Sequence, residues 1–262
     1  MDKAFDSDAA EPQAQAARAG KPVLIVLLND TLPDLARRRG ELPDWIAKSL
    51  HLPVGLLAVV DPRGGAELPS PHGLAGVVVT GSAAMVPDLE EWSQRTADWL
   101  RGVLAADVPV LGICYGHQLL AHAMGGQVDY NPNGREFGTV EVRLLPAAAD
   151  DSLLSHLPPV FRAHASHSQS VLHLPPGAVR LAANDHDRHY AFRLGRAAWG
   201  VQFHPEFDAD IVRTFTRARD ASLRADGLCP ESILAAIEET PHAASVLARF
   251  GQIAANGPAT FR

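Results

Sequence analysis

Val108-Pro109-Val110-Leu111-Gly112-Ile113-Cys114-Tyr115-Gly116-His117-Gln118 decides how this chain folds. Residues 108–113 are aliphatic and predict a buried strand. Residues 116–124 predict a helix, and Gly125-Gly126 stand where a helix C-terminal cap is expected. Cys114 therefore falls on a tight strand-to-helix bend of the Gly-x-nucleophile-x-Gly kind. Such a bend crowds the backbone, which explains a glycine on either side. It aims the sulfur at the carboxyl end of the sheet and at the N-terminus of the following helix. Partial positive charge there favours thiolate over thiol. The Tyr115 N–H then faces the place where an oxyanion would form. A free cysteine is more often a small buried hydrophobe; the flanking glycines argue for a nucleophile here. Cys229 has no such setting, precedes Pro230 at a helix start, and reads as structural.

Outward from this corner, short aliphatic runs alternate with amphipathic stretches. Residues 23–28, 55–60 and 76–80 predict strands, and 43–50 and 89–105 predict helices, the latter with Trp92, Trp99, Leu100 and Val103 at helical spacing. The two-sided apolarity of residues 23–28 is that of a parallel strand covered on both faces. This rhythm predicts an α/β fold: a doubly wound, mostly parallel sheet with helices on both faces. Beyond Gly126, residues 139–145, 160–161, 170–174, 190–194 and 198–203 predict short strands that extend or edge the sheet. From Asp208 onward the chain reads as helical, with apolar faces from Ile211, Phe215, Ile233, Leu234, Ile237, Val246, Leu247 and Phe250. The expected layout is a loosely ordered segment over residues 1–20, one domain over 21–207, and a helical extension over 208–262 packed on it.

Composition removes several classes of function. With 262 residues and 47% hydrophobic content, one large domain can bury its own core. Two cysteines do not make a disulfide framework and fit a reducing cytoplasm. A net charge of −7, with Arg37-Arg38-Arg39 as the one short basic run, does not suit nucleic acid; the run reads as a solvated loop or helix end. No aliphatic run is long enough to span a bilayer. The twelve histidines show no His-x-x-x-His pair on a plausible helix, so neither a metal nor another cofactor is expected.

A thiolate that cleaves an amide needs a base that can also protonate the leaving amine, held in orientation by a carboxylate. Gly200-Val201-Gln202-Phe203-His204-Pro205-Glu206 supplies both after a predicted strand. On extended backbone, residues two apart share a side, so His204 can meet Cys114 while Glu206 reaches the other imidazole nitrogen. The tripeptide alone is weak; paired with the Cys114 corner it is specific.

Together, Gly112-Ile113-Cys114-Tyr115-Gly116-His117-Gln118 and the later His204-Pro205-Glu206 resemble the class I glutamine amidotransferase family, most closely the amidotransferase domains of GMP synthases and stand-alone proteins like them. The likeness covers residues 23–207. It implies the family's flavodoxin-like α/β fold and a Cys114-His204-Glu206 triad that hydrolyses the glutamine side-chain amide through a thioester. It also implies a second oxyanion donor at Gly81 N–H, within Thr80-Gly81-Ser82, beside that of Tyr115. Substrate contacts implied by the likeness are Gln118 and the segment Ser166-His167-Ser168-Gln169, where Ser168 and Gln169 replace the family's Gly and Asp. Thr80 and Ser82 likewise vary the family's Gly-Gly-Pro turn. His164, His167, His186 and His189 read as surface or hydrogen-bonded residues. L-glutamine and a γ-glutamyl compound both fit as substrate, a synthase subunit is a possible partner, and a non-catalytic glutamine-binding subunit is the third reading. A cysteine-dependent α/β-hydrolase fits less well, because here the acid follows the base.

Overall fold

The computed structural model describes residues 20–257; the expected loose N-terminal segment lies, apart from Gly20, outside the described residues. Eleven strands are described: β1 (Val23–Val26), β2 (Leu57–Val60), β3 (Gly76–Val79), β4 (Val110–Ile113), β5 (Gln127–Tyr130), β6 (Glu136–Leu144), β7 (Val160–His167), β8 (Gln169–His173), β9 (Val179–Ala183), β10 (Ala191–Leu194) and β11 (Ala198–Val201). Eight α-helices accompany them: α1 (Pro33–Arg39), α2 (Leu42–Leu50), α3 (Glu91–Ala105), α4 (Tyr115–Ala123), α5 (Ala209–Ala218), α6 (Asp220–Ala225), α7 (Pro230–Ala236) and α8 (Pro241–Asn256).

Nine strands form one mixed sheet in the order β2-β1-β3-β4-β11-β10-β9-β6-β7. The half from β2 to β11 is parallel, and the half from β11 to β7 is antiparallel. Strand periodicity sorts the core into two layers. Ile25, Val78 and Leu111 face a layer with Trp45, Ile46, Leu50 and Phe250. Leu24, Val26, Val77 and Val79 face the opposite layer with Leu100, Val103, Leu119 and Leu120. Each such side chain contributes about 1.5–3 kcal/mol on leaving water, so both faces must be covered, and helices cover both.

The C-terminal helices close the first of these layers. Gly251 of α8 sits against the Leu50 carbonyl, and Gly76 of β3 lies under Phe250 and Ala254. Neither contact leaves room for a larger side chain. Asp208 caps α5 by accepting from Ile211 N–H at 3.0 Å. The basic run is the last turn of α1, where Arg39 pairs with Asp208 and Asp210 and so ties the start of α5 to the front of the chain.

One expectation needs correction. Residues 170–174 do not edge the large sheet: β8 pairs with β5 in a separate two-stranded ribbon. Neither β5 nor β9 is among the expected strands, because Gln127-Val128-Asp129-Tyr130 is mostly exposed and offers little apolar signal, while β9 follows a Pro-Pro-Gly turn that masks its short run. The basic run over residues 37–39, expected in a solvated loop or at a helix end, is the end of α1, a helix missing from the expected ones because three arginines dilute its single buried residue, Leu35.

Candidate active site

The corner after β4 is as sharp as the sequence requires. Cys114 has φ +51° and ψ −101°, a conformation that costs a non-glycine residue about 1–3 kcal/mol and persists only when the surroundings enforce it. A Cβ on Gly112 would overlap the Gly116 carbonyl, and one on Gly116 would overlap the Val79 carbonyl. Both glycines are therefore dictated by close backbone approach. At its other end, α4 closes with Gly125 at φ +90°, and the bonds Gly126 N–H to Ala121 O (2.8 Å) and Gly125 N–H to His122 O (3.0 Å) form a Schellman cap.

The second corner reaches the first because β11 lies beside β4, with Ile113 in register with Val201. Cys114 N–H donates to Val201 O at 2.9 Å, and His204 N–H donates to His164 O at 2.9 Å, which fixes both backbones. The Nδ1 of His204 bonds to Glu206 Oε1 at 2.7 Å, and the ring stacks on Phe207 at 4.1 Å between centroids. His204 Nε2 is buried without a conventional hydrogen-bond partner, and the ring interacts electrostatically with the Cys114 sulfur. Gly81 adjoins both groups: a Cβ there would lie 3.0 Å from His204 Cε1 and 3.6 Å from Cys114 Cβ. The sulfur also sits 3.7 Å from the Ser166 carbonyl oxygen.

Charge is distributed accordingly. Burial pushes the Cys114 thiol up, but His204 and, more weakly, His167 outweigh it and hold the thiol below its ordinary 9.0. Burial likewise disfavours the His204 imidazolium, yet Glu206 and Cys114 raise it to about 10. Both shifts favour the thiolate and imidazolium forms of the pair.

A cavity of about 290 Å³ opens over these groups. Gly81, Tyr115, Gln118, Ser166, Ser168 and Gln169 all line it with Cys114, His204 and Glu206. Gln118 is buried, and its Nε2 donates to Gln169 O at 2.9 Å and to Gln202 Oε1 at 3.1 Å. Gln169 Oε1 accepts from Val86 N–H at 3.2 Å, tying the start of β8 to the loop after β3, while Gln169 Nε2 is left without a partner. Among the described residues no group of three or more His, Cys, Asp or Glu is placed to hold a metal ion, and no helix is long and apolar enough to cross a membrane.

The sequence offered no way to see what supports Ser166 to Gln169. Glu136 stands opposite His167 across β6 and β7. It accepts from His167 Nε2 at 2.9 Å, Tyr190 Oη at 2.7 Å and Asn184 Nδ2 at 2.7 Å. His167 Nδ1 bonds to Gln169 O at 2.9 Å. Burial opposes the charge on His167, but Glu136 prevails and raises its pKa. His117, by contrast, is buried against Gly200 and Phe192, and burial lowers its pKa to about 3, so it stays neutral. Burial and the His204 charge lower His164 to about 4.

Comparison with known proteins agrees with this architecture. The family model for class I glutamine amidotransferases matches residues 72–214. The glutamine-hydrolyzing GMP synthase of Aeropyrum pernix is 41% identical over 132 residues, which are 50% of this chain and 24% of that protein. One subunit of the glutamine-hydrolyzing GMP synthase of Methanopyrus kandleri is 36% identical over 120 residues, 44% of this chain and 63% of that one. The chain thus spans less than two thirds of the length of these curated relatives. In fold it is similar to the glutamine amidotransferase of Methylobacillus flagellatus, with a TM-score of 0.70 at 24% identity over 90% of this chain and 94% of that one.

Proposed function

We propose that this chain, which belongs to the class I glutamine amidotransferase family, hydrolyses the side-chain amide of glutamine with Cys114 as nucleophile, His204 as proton carrier and Glu206 as its anchor. The observation that carries the reading is the convergence of a strained cysteine and a carboxylate-held imidazole at the ends of two adjacent parallel strands. In the first half-reaction the Cys114 sulfur attacks the amide carbon and a C–S bond forms. The N–H groups of Gly81 and Tyr115 receive the oxyanion; such donors are typically worth ~10²–10³ in rate each. Proton transfer from His204 Nε2 to the nitrogen lets the C–N bond break and ammonia leave. His204, now neutral, takes a proton from water as that water attacks the thioester, and glutamate is released with the thiolate restored. Glu206 keeps Nδ1 protonated throughout, so Nε2 is always the nitrogen that exchanges protons.

Gln118, Ser166, Ser168 and Gln169 hold the amino-acid end of the substrate, with Gln169 Nε2 as a spare donor. A separate synthase subunit is the proposed consumer of ammonia, a reading supported by the Methanopyrus kandleri relative, which is named as one subunit of a GMP synthase. The free thiols Cys114 and Cys229 suit a reducing cytoplasm. Ammonia release from glutamine by the wild-type chain and its absence in Cys114→Ala are the expected results. Equal release by both chains rejects the mechanism.

A further inference from the structure

Beside the segment that holds the substrate's amino-acid end stands a cation that the proposed chemistry does not use. Arg219, between α5 and α6, lines the cavity that holds Cys114. Its Nη1 donates to Ser166 Oγ at 2.8 Å, and no carboxylate among the described residues pairs with it. Its guanidinium lies over the Phe215 ring at 4.7 Å and the Phe137 ring at 5.9 Å. Arg135, just before β6, lies over the same Phe137 ring at 5.3 Å and is partly neutralised by Asp226 at 3.0 Å. Burial and the Arg135 charge both work against the Arg219 cation. A guanidinium so placed gains most from an anion that can accept two of its N–H groups at once.

Ser166 relates that anion to the reacting atoms. Its carbonyl oxygen is 3.7 Å from the Cys114 sulfur and its hydroxyl is on Arg219, so one residue separates the nucleophile from the cation. In glutamine, Cγ, Cβ and Cα separate the attacked amide carbon from the carboxylate. An amide carbon at the sulfur therefore carries its carboxylate toward the guanidinium. The ammonium finds no matching charge. Among the described residues the one carboxylate lining the cavity is Glu206, whose side chain has no exposed surface and is bonded to His204. Gln169 offers a buried donor without a partner, Nε2. A donor suits a carboxylate and not an ammonium, which can only donate.

We infer that Arg219, backed by Arg135, is a specificity residue that reads the substrate's carboxylate, and that the site selects ω-amides by this carboxylate while leaving the α-ammonium unread. Glutamine remains a substrate, and the monoamide of glutaric acid, which is glutamine without its amino group, joins it. The inference deepens the amide-hydrolase reading of the same site and rests on it. The bonds are those already given: sulfur to amide carbon forms, carbon to nitrogen breaks, and His204 gives its proton to the departing ammonia. Water then cleaves the thioester, to glutamate from glutamine and to glutarate from the monoamide. Arg219 takes no part in these steps and holds the far end of the molecule.

Three probes test it: L-glutamine, glutaric acid monoamide, which lacks the ammonium, and L-glutaminamide, which lacks the carboxylate. The measurements are kcat/KM for wild type and calorimetric binding to the full chain carrying Cys114→Ala. Glutaminamide is expected to fall below glutamine by about tenfold or more, the size of one charge-assisted hydrogen bond, and the monoamide to stay within about tenfold of glutamine. Arg219→Gln, which keeps a donor for Ser166 but drops the charge, weakens glutamine and the monoamide and leaves glutaminamide nearly unchanged, so the preference collapses toward one. Arg219→Lys restores part of it. A merely structural arginine would depress all three probes alike, and that result overturns the inference. So does a wild type that treats glutamine and glutaminamide alike, even where Arg219→Gln does not fold, and so does a monoamide more than about tenfold poorer than glutamine. If wild type turns over none of the probes while the binding preference persists, the amide-hydrolase reading fails and the carboxylate subsite stands. If glutamine is hydrolysed without a preference for the carboxylate, the subsite alone fails.

Discussion

Two buried histidine–glutamate pairs flank Cys114, and they differ in one nitrogen. His204 bonds to Glu206 through Nδ1 and keeps Nε2 uncommitted near the sulfur. His167 spends both nitrogens, Nε2 on Glu136 and Nδ1 on the Gln169 carbonyl. Both pKa values are raised against burial by the neighbouring glutamate. A buried His–Glu pair is thus not in itself a proton shuttle; what separates a shuttle from a clamp is a spare ring nitrogen at the reacting atom. We assign the shuttle to His204. His167 and Glu136 instead hold the strand end that carries Ser166, Ser168 and Gln169 along one wall of the cavity.

The largest effect should come from removing the spare nitrogen. His204→Asn is expected to lower glutaminase kcat by roughly 10³-fold or more, since it removes both the proton donor and the partner that holds the thiolate. Steady-state ammonia release checks this, and a loss smaller than about tenfold would move the shuttle role elsewhere.

The comparison sharpens when the two glutamates are exchanged for glutamine. Glu206→Gln is expected to reduce kcat by about 10²-fold or more, because the imidazole loses the group that orients it. Glu136→Gln should leave kcat much less affected. It disturbs a carboxylate with three donors, each bond to a charged group contributing about 1.5–3 kcal/mol, and so lowers the melting temperature with a kcat loss within about tenfold. Equal kcat losses in the two variants would erase the distinction between shuttle and clamp.

The smallest effect is read in pH. Because folding raises His204 from 6.5 to about 10, its stabilisation is complete below pH 6.5 and is lost as pH rises through about 10. Cys114 is depressed from 9.0, so its contribution is present above pH 9.0 and is lost as pH falls through the folded value. The ultraviolet absorbance of the thiolate should therefore persist below pH 9.0 in wild type and retreat to higher pH in His204→Asn. A thiol titrating at or above 9.0 in wild type would show that the imidazolium does not hold it.

Much of the fold was legible because its signals are local. The runs at residues 23–28, 76–80 and 108–113 became β1, β3 and β4, since consecutive aliphatic residues buried on both faces need no partner to be recognised. The antiparallel half was harder. β5 is largely exposed, and β8 looks like any short edge strand until its partner is known. Within the site, the glycines around Cys114 were readable from sterics alone, and the structure gives each a carbonyl it would otherwise strike. Glu136 carried no signal, because it is one acidic residue at the start of an alternating strand; only its register opposite His167 makes it part of the site. Arg219 was equally silent, one arginine among several in and around helices α5 and α6.

The sequence alone determined the two corners: a cysteine forced into a strained bend by neighbours without side chains, and a histidine and a glutamate spaced to meet on extended backbone. Steric exclusion and strand periodicity act over a few residues, so they can be read without knowing where the chain goes next. Tertiary structure decided that the corners face each other, because β11 returns from far along the chain to lie against β4. It likewise decided that His204 keeps a ring nitrogen uncommitted while His167 does not, since pairing and burial depend on neighbours remote in sequence.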